Sequence, residues 1–237
     1  MIDSASSADA AATGRTGRRS VALLCAVAAI LVAGVGLRLT SSQTSLDATS
    51  PSPYAGVLLD EPLPRPEFTL RDTSGRRFDF ARETSGRLTL LFFGYTSCRD
   101  FCPMQLAMLS QVLERPGAPK AEVVFVGIDA ERDIPEVVRA YLDRYDRDFI
   151  GLTGTPEELE AAQRAAGVPP GVAQATPPGE DVVIGHGTQI IAYTRDDFAH
   201  VVYPYGLRQQ DWVSDLERLA TVDGQPADAS QSGEGQS

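Results

Sequence analysis

Residues 88–106 have the sequence "LTLLFFGYTSCRDFCPMQL", in which an apolar run leads into two closely spaced cysteines and then into a helical pattern. The run "LTLLFF" is short and continuous, which is typical of a strand buried on both faces of a sheet. Pro103 follows Cys102 directly, and proline is accepted in a helix chiefly in the first turn, so a helix should begin close to Pro103. Cys98 and Cys102 are therefore expected to flank one tight loop between a central strand and a helix.

A second strand and a second helix follow this pair along the chain. Residues 122–128, "EVVFVGI", form another apolar run, and the apolar residues behind it recur with helical spacing. Asp133 and Thr155 each stand three residues before a glutamate, which is the arrangement of capping side chains at helix starts. Strands that alternate with helices in this way predict an α/β fold with a parallel core and right-handed crossovers.

The carboxyl-terminal part of the folded region has a different pattern. Two strand-like runs, residues 182–193 and 198–203, are separated by the polar turn "TRDD" at residues 194–197, which predicts a β-hairpin. A closing helix is expected over residues 209–222. Because a hairpin adds antiparallel strands to the parallel core, we expect a central mixed sheet flanked by helices.

The amino-terminal region carries a long apolar segment. Residues 20–37, "SVALLCAVAAILVAGVGL", contain no charge and follow three arginines. As a helix they would span about 27 Å, close to the hydrocarbon core of a bilayer. We expect a transmembrane signal anchor here, with residues 1–19 in the cytoplasm and the globular part of this single-pass cell-membrane protein on the extracytoplasmic side. A twin-arginine signal at Arg18 and Arg19, and lipidation of Cys25, are the alternatives.

Composition defines the other segments and excludes some partners. Residues 38–56 are rich in Ser, Thr and Pro and predict a linker, while residues 223–237 predict a disordered tail. The folded domain is therefore expected over residues 57–222. The net charge is −11, and no block of Lys or Arg lies beyond the first twenty residues, which argues against nucleic acid as a partner. Three cysteines are too few for a disulfide scaffold, and Cys25 lies in the apolar segment.

Cys98 and Cys102 are thus the candidates for chemistry. The start of a helix stabilises a thiolate, which is the form of cysteine that attacks disulfides and binds soft metal ions such as Cu(I). A purely structural disulfide would close a small loop and so stabilise the fold little. Met104 and Met108 are expected to pack in the core rather than to bind a metal. A redox pair and part of a metal site are the two interpretations that stay open.

The chain has two histidines, which are the candidates for a third ligand of a metal site. In the expected hairpin register Tyr193 pairs with Phe198 and His200 with Ile191, which separates His200 from His186 by about 17 Å. The two histidines should therefore not share an ion. His186 lies between two glycines that allow close approach of another group, but a lone strand histidine can equally be structural. The residues alone leave its role open.

Together these residues resemble the Sco/SenC family, membrane-tethered copper chaperones of thioredoxin-like fold that assist the assembly of cytochrome c oxidase. The segment "FGYTSCRDFCP" at residues 93–103 is similar to the family's aromatic-Gly-Tyr-Thr-x-Cys-x-Asp-x-Cys-Pro block, and the resemblance covers about residues 57–222. It implies that Cys98, Cys102 and His186 bind one copper ion, as Cu(I) or Cu(II).

The resemblance also implies partners and a direction for the chemistry. The expected recipient is the cytochrome c oxidase subunit that carries the CuA site, and other copper chaperones or thiol–disulfide oxidoreductases are further expected partners. In the alternative hypothesis the protein is itself a thiol–disulfide oxidoreductase, with Cys98 and Cys102 as a redox pair that keeps the cysteines of a target reduced. A third hypothesis is a copper or redox sensor in which metal binding reshapes the proline-rich loop at residues 168–181.

Overall fold

The computed structural model describes residues 52–174 and 183–223, in which an eight-stranded mixed sheet carries helices on both faces. Its strands are β1 (Val57–Pro64), β2 (Thr69–Asp72), β3 (Arg77–Asp79), β4 (Thr89–Gly94), β5 (Glu122–Gly127), β6 (Ile150–Thr153), β9 (Ile190–Tyr193) and β10 (Phe198–Tyr203). β7 (Val172–Gln174) and β8 (Val183–Gly185) form a separate two-stranded antiparallel sheet. The helices are α1 (Phe80–Thr84), α2 (Phe101–Leu113), α3 (Pro135–Leu142), α4 (Pro156–Ala165) and α5 (Gln209–Leu219).

The strand order in the large sheet is β1-β10-β9-β4-β5-β6-β2-β3. β4, β5 and β6 are parallel to one another, whereas β9 runs antiparallel to β4 and to β10. The two apolar runs of the sequence are the central strands β4 and β5, and every residue of β4 is buried. The expected mixed sheet with flanking helices is therefore confirmed.

Alternation along β4 divides the core into two layers. Leu90 and Phe92 face the layer that contains α2, α3 and α5, while Leu91 and Phe93 face the layer of α1 and α4. Successive side chains of a strand point to opposite faces, so an unbroken apolar run serves both layers. Burying each such Leu or Phe side chain contributes about 1.5–3 kcal/mol. β4 is thereby fixed at the centre, and the cysteine loop leaves from its carboxyl end.

Of the helix starts expected at Pro103, Thr155 and Asp133, the first two are confirmed, and the closing helix begins at Gln209 as expected. α2 begins at Phe101 and has Pro103 in its first turn. At α4 the capping box is complete, because the Thr155 hydroxyl accepts from the Glu158 N–H and the Glu158 carboxylate accepts from the Thr155 N–H. The third expectation is wrong, since Ile134 and not Asp133 occupies the N-cap of α3. The Asp133 carboxylate is engaged elsewhere, as described below.

The hairpin differs from its prediction at two places. Residues 182–193 do not form one strand, because β8 ends at Gly185 and β9 begins at Ile190, and the two strands lie in different sheets. The glycines on either side of His186 weaken strand structure there. His186 consequently lies in a connecting segment, residues 186–189, and not on a strand of the hairpin.

The expected register of the hairpin is also wrong, by one residue at Tyr193 and by two at Ile191. Tyr193 pairs with Ala199 and Ile191 with Val202, with an irregularity between Ala199 and Val201. Asp197 adopts a left-handed conformation with φ of 63°, so the turn takes up one more residue than a simple four-residue turn. His200 therefore lies at the irregularity rather than opposite Ile191.

The amino-terminal predictions fall on parts of the chain that the structure does not describe. The expected anchor at residues 20–37 lies there, as do most of the linker and nearly all of the tail. Within residues 52–174 and 183–223, no helix has both the length and the apolar character needed to cross a bilayer. Residues 175–181 of the proline-rich loop, on which the sensor hypothesis depends, are likewise outside the described ranges.

Candidate metal centre

The cysteine loop runs from the carboxyl end of β4 to the first turn of α2. A side chain at Gly94 would place its Cβ 2.9 Å from the Cys102 sulfur and 2.7 Å from the Phe125 ring, so glycine allows this sulfur to lie against the strand end. The Cys98 N–H donates to the Tyr95 carbonyl oxygen at 3.1 Å and closes a turn. The loop therefore brings both cysteines to the start of the helix, as the sequence predicts.

Asp133 holds the other side of this loop. One of its carboxylate oxygens accepts from the Thr96 N–H at 3.0 Å and from the Thr96 hydroxyl at 2.7 Å, and the second accepts from the Asp129 N–H at 3.1 Å. Asp133 is buried, and only glycine fits at position 127, where a Cβ would come within 2.8 Å of the Asp133 Cβ. This contact was missed from sequence, because Asp133 and Thr96 are 37 residues apart.

The two sulfur atoms differ in ionisation. The Cys102 thiol donates a hydrogen bond to Cys98, and together with the backbone N–H groups of Cys102, Asp100 and Phe101 it lowers the pKa of Cys98 to about 5, although burial acts in the opposite direction. The same hydrogen bond and burial raise the pKa of Cys102. Near neutral pH the pair thus consists of a Cys98 thiolate and a Cys102 thiol. Cys98 is 8% exposed and Cys102 is fully buried.

His186 presents one ring nitrogen to the site. Its Nδ1 lies 2.8 Å from the Ile184 carbonyl oxygen, and because a carbonyl can only accept, Nδ1 carries the proton. In the neutral ring the lone pair is then on Nε2, which is buried and has no hydrogen-bond partner among the described residues. A metal-binding histidine commonly has this arrangement, with one nitrogen fixed by a carbonyl and the other free.

Tyr95, the first residue of the cysteine loop, contacts His186. Its ring centroid is 5.2 Å from that of His186, with the ring planes inclined by 75°, and its hydroxyl makes a polar contact with Cys98. Among residues 52–174 and 183–223, no three side chains of His, Cys, Asp or Glu are grouped closely enough to share a metal ion. The structure thus brings Cys98 and Cys102 together, and Tyr95 contacts both Cys98 and His186. Two sulfurs and one imidazole are a donor set that suits copper.

The remaining candidates lie outside this group. His200 Nε2 is 2.7 Å from the Asp196 carboxylate, so this histidine is bound to the hairpin turn. Met108 packs against the core as expected, but Met104 is 51% exposed and its sulfur accepts from the Tyr205 hydroxyl at 3.4 Å. The core prediction is wrong for Met104, because this residue lies on the face of α2 opposite the buried Cys102.

Comparisons with known proteins identify the family of this chain. The sequence profile of the SCO1/SenC family matches residues 59–221. The SCO2-like protein of Rickettsia felis is 38% identical over 96 residues, which are 40% of this chain and 46% of that protein, so the match spans less than half of the relative's own length.

Two solved structures share the fold at higher coverage. Apo Sco1 from Thermus thermophilus is 30% identical with a TM-score of 0.61, over 70% of this chain and 96% of the other. Bradyrhizobium japonicum ScoI with copper bound is 31% identical with a TM-score of 0.57, over 66% of this chain and 99% of the other. The family profile covers well over half of the chain, and with its Sco-like thioredoxin fold the protein belongs to the SCO1/SenC family.

Proposed function

We propose that this protein is a copper chaperone that holds one copper ion on Cys98, Cys102 and His186 and delivers it to the cytochrome c oxidase subunit that carries the CuA site. The observation that carries the proposal is a pair of free cysteines at a helix start, with a histidine that contacts Tyr95 of the same loop and has an unpartnered Nε2. One relative supports it: ScoI of Bradyrhizobium japonicum, which is 31% identical to this chain, has been solved with copper bound.

The donor groups are suited to copper as a cargo. Thiolates and imidazole are soft to intermediate ligands, which favour copper over magnesium or calcium. Uptake displaces the proton of Cys102, whose thiol must ionise to bind, so copper binding releases protons. The hydrogen bond from His186 Nδ1 to the Ile184 carbonyl keeps the Nε2 lone pair available. Because the Tyr95 ring is in contact with the His186 ring, we expect the two rings to shift relative to each other when copper binds.

Delivery requires that the ligands be replaced one at a time by those of the recipient. Cys98 is the sulfur with a solvent-exposed fraction, whereas Cys102 is fully buried. We therefore expect the recipient's first ligand to enter on the Cys98 side of the ion. The proposed anchor at residues 20–37 and linker at 38–56 would keep this exchange at the membrane, on the extracytoplasmic side.

A copper titration of the full-length protein in detergent tests the proposal. The reduced protein should bind about one copper ion per chain. After oxidation of Cys98 and Cys102 to a disulfide, which removes two electrons and the one remaining thiol proton and leaves no thiolate, binding should be lost. Absence of binding by the reduced protein, or equal binding by both forms, would contradict the proposal.

A thiol–disulfide oxidoreductase is the second candidate, and the unequal ionisation of the two cysteines favours it. The Cys98 thiolate would attack a target disulfide and expel one target thiolate. Cys102 would then lose its proton, attack the Cys98 sulfur and expel the second thiolate, which leaves the target reduced and this protein oxidised. A Cys102→Ala variant should then accumulate a mixed disulfide between Cys98 and a target that is supplied in its disulfide form. If no such adduct forms, this candidate is excluded.

A further inference from the structure

Gln105 links the two halves of the proposed site. It lies one helical turn after Cys102 on α2, and its side chain is buried. Its amide nitrogen donates to the Thr188 carbonyl oxygen at 2.6 Å. Thr188 belongs to segment 186–189, two residues after His186. The helix that carries one proposed ligand is therefore bonded directly to the segment that carries another.

The segment that Gln105 holds has little regular structure of its own. β8 ends just before it and pairs with β7, while β9 begins just after it and belongs to the large sheet. Its other side-chain hydrogen bond in the described chain, from His186 to Ile184, is local. Two contacts from distant parts of the chain therefore hold this segment. One is the ring contact of His186 with Tyr95, and the other is the hydrogen bond from the Gln105 amide, which joins the segment to α2.

We propose that Gln105 is a positioning residue that sets the distance of His186 from the two cysteine sulfurs. The proposal rests on the proposed copper function. A glutamine is suited to this role because it presents an N–H donor to a carbonyl without bringing charge into a buried site. Leucine has a similar size and cannot donate. Ionised glutamate has nearly the same shape and can only accept, so it would face the Thr188 carbonyl with a second acceptor.

Copper affinity in a double-mutant cycle is the first test, measured on the reduced full-length protein by competition with a chromogenic Cu(I) chelator. Gln105→Leu should weaken binding about tenfold, the lower end of what outer partners of metal ligands contribute. In a His186→Ala background the same substitution should cause no further loss. Unchanged affinity in Gln105→Leu, or an equal loss in both backgrounds, would overturn the proposal.

Ser110→Ala is the matched control for this cycle. Ser110 lies on the same helix, is buried to the same degree, and its hydroxyl donates to the distant Tyr145 carbonyl at 2.8 Å. Its removal should leave copper affinity unchanged. If Ser110→Ala weakens copper binding as much as Gln105→Leu does, the effect is one of general helix packing and the positioning role is wrong.

A second readout needs no copper. The chain has two histidines, so the imidazole NMR signals of copper-free protein separate His186 from His200, which is bound to Asp196. Gln105→Leu should shift the His186 signals and leave those of His200 in place; unmoved His186 signals would contradict the proposal. Should Gln105→Leu not fold, Gln105→Glu serves the same test. If the proposed copper function is wrong, the reduced protein will not bind copper, or the His186→Ala variant will bind it as the parent does. The His186 NMR signals still test the role of Gln105 in that case, because they are measured without copper.

Discussion

The two halves of the candidate site are held in different ways. The sulfur half leaves a buried central strand, enters a helix and is held from the side by the Asp133 carboxylate. The imidazole half, segment 186–189, lies between strands of two different sheets and is held by the Gln105 amide and the Tyr95 ring. The preformed sulfur pair can thus bind the copper ion first. The histidine, whose position can adjust, can then complete the coordination shell or withdraw from it when the ion is released.

Loss of either sulfur should have the largest effect on copper binding. Cys98→Ser and Cys102→Ser each remove a soft ligand from the preformed half, and we expect affinity to fall by more than about 100-fold, beyond the range seen for outer partners of ligands. Cys25→Ser is the matched control, because Cys25 lies outside the domain, and should bind as the parent does. Chelator competition on the reduced proteins measures this. Retained affinity in either loop variant would remove the sulfur half from the account.

His186→Ala should have the next largest effect. Because the sulfur pair stays intact, copper should still bind, but about 10–100-fold more weakly. His200→Ala is the control: it removes an imidazole bound to Asp196 and should leave affinity unchanged. The partly exposed His200–Asp196 pair contributes about 0–1 kcal/mol, so the free energy of unfolding of the His200→Ala variant should change little. Equal copper affinities of the two histidine variants would contradict the distinction between them.

The unequal ionisation of the sulfurs can be tested by alkylation. The rate of Cys98 modification by iodoacetamide should rise with pH around a midpoint of about 5, and buried Cys102 should react far more slowly. Cys102→Ala removes the main hydrogen-bond donor and should move the midpoint up toward the ordinary value of about 8.5. Site-resolved mass spectrometry across pH measures both. A parent midpoint near 8.5 would show that neither the Cys102 hydrogen bond nor the helix start stabilises the thiolate.

The same pKa difference has a consequence for folding. The Cys98 pKa is lower in the folded state than in the unfolded chain, so between about pH 5 and about pH 8.5 the unfolded chain binds more protons. The stabilisation that comes from ionisation of Cys98 is therefore complete above the pKa of the unfolded chain, about 8.5, and is lost as the pH falls toward 5. Denaturant titration of the reduced protein should show a free energy of unfolding that rises with pH between about 5 and about 8.5. The Cys98→Ser variant should lack this rise.

Asp133→Asn should have the smallest effect on copper and a measurable one on stability. The carboxylate accepts three hydrogen bonds, and an amide would turn its NH2 group toward N–H donors. We expect a loss of about 1–3 kcal/mol in the free energy of unfolding, and only a few-fold loss in copper affinity. Denaturant titration compares the variant with the parent. A variant as stable as the parent would mean that Asp133 does not hold the cysteine loop.

The sulfur half of the site was predictable from sequence because its determinants are local. An apolar run, two cysteines and Pro103 lie within residues 88–106, and they fixed a buried strand, a tight loop and a helix start. The imidazole half was not predictable in the same way. His186 was expected on a strand, and its role as a ligand came from the family resemblance, because its surroundings depend on contacts with Tyr95 and Gln105 that are distant in the chain.

Other differences have the same origin. Asp133 matched the pattern of a helix cap, but a buried contact with Thr96 takes its carboxylate instead. The hairpin register depends on the left-handed conformation of Asp197, which residue types alone did not indicate. β1 was not predicted because it is an exposed edge strand without apolar alternation, and β6 because it has four residues. Local patterns thus sufficed for the central strands β4 and β5 and failed for the exposed strand β1 and the short strand β6.

X-ray absorption spectroscopy of the reduced full-length protein loaded with one equivalent of copper tests the central claim most directly. We predict a first coordination shell of two sulfur ligands and one nitrogen ligand. In His186→Ala the nitrogen contribution should disappear while both sulfurs remain. A shell with fewer than two sulfurs, or a nitrogen contribution that persists unchanged in His186→Ala, would contradict the assignment of Cys98, Cys102 and His186 as the copper ligands.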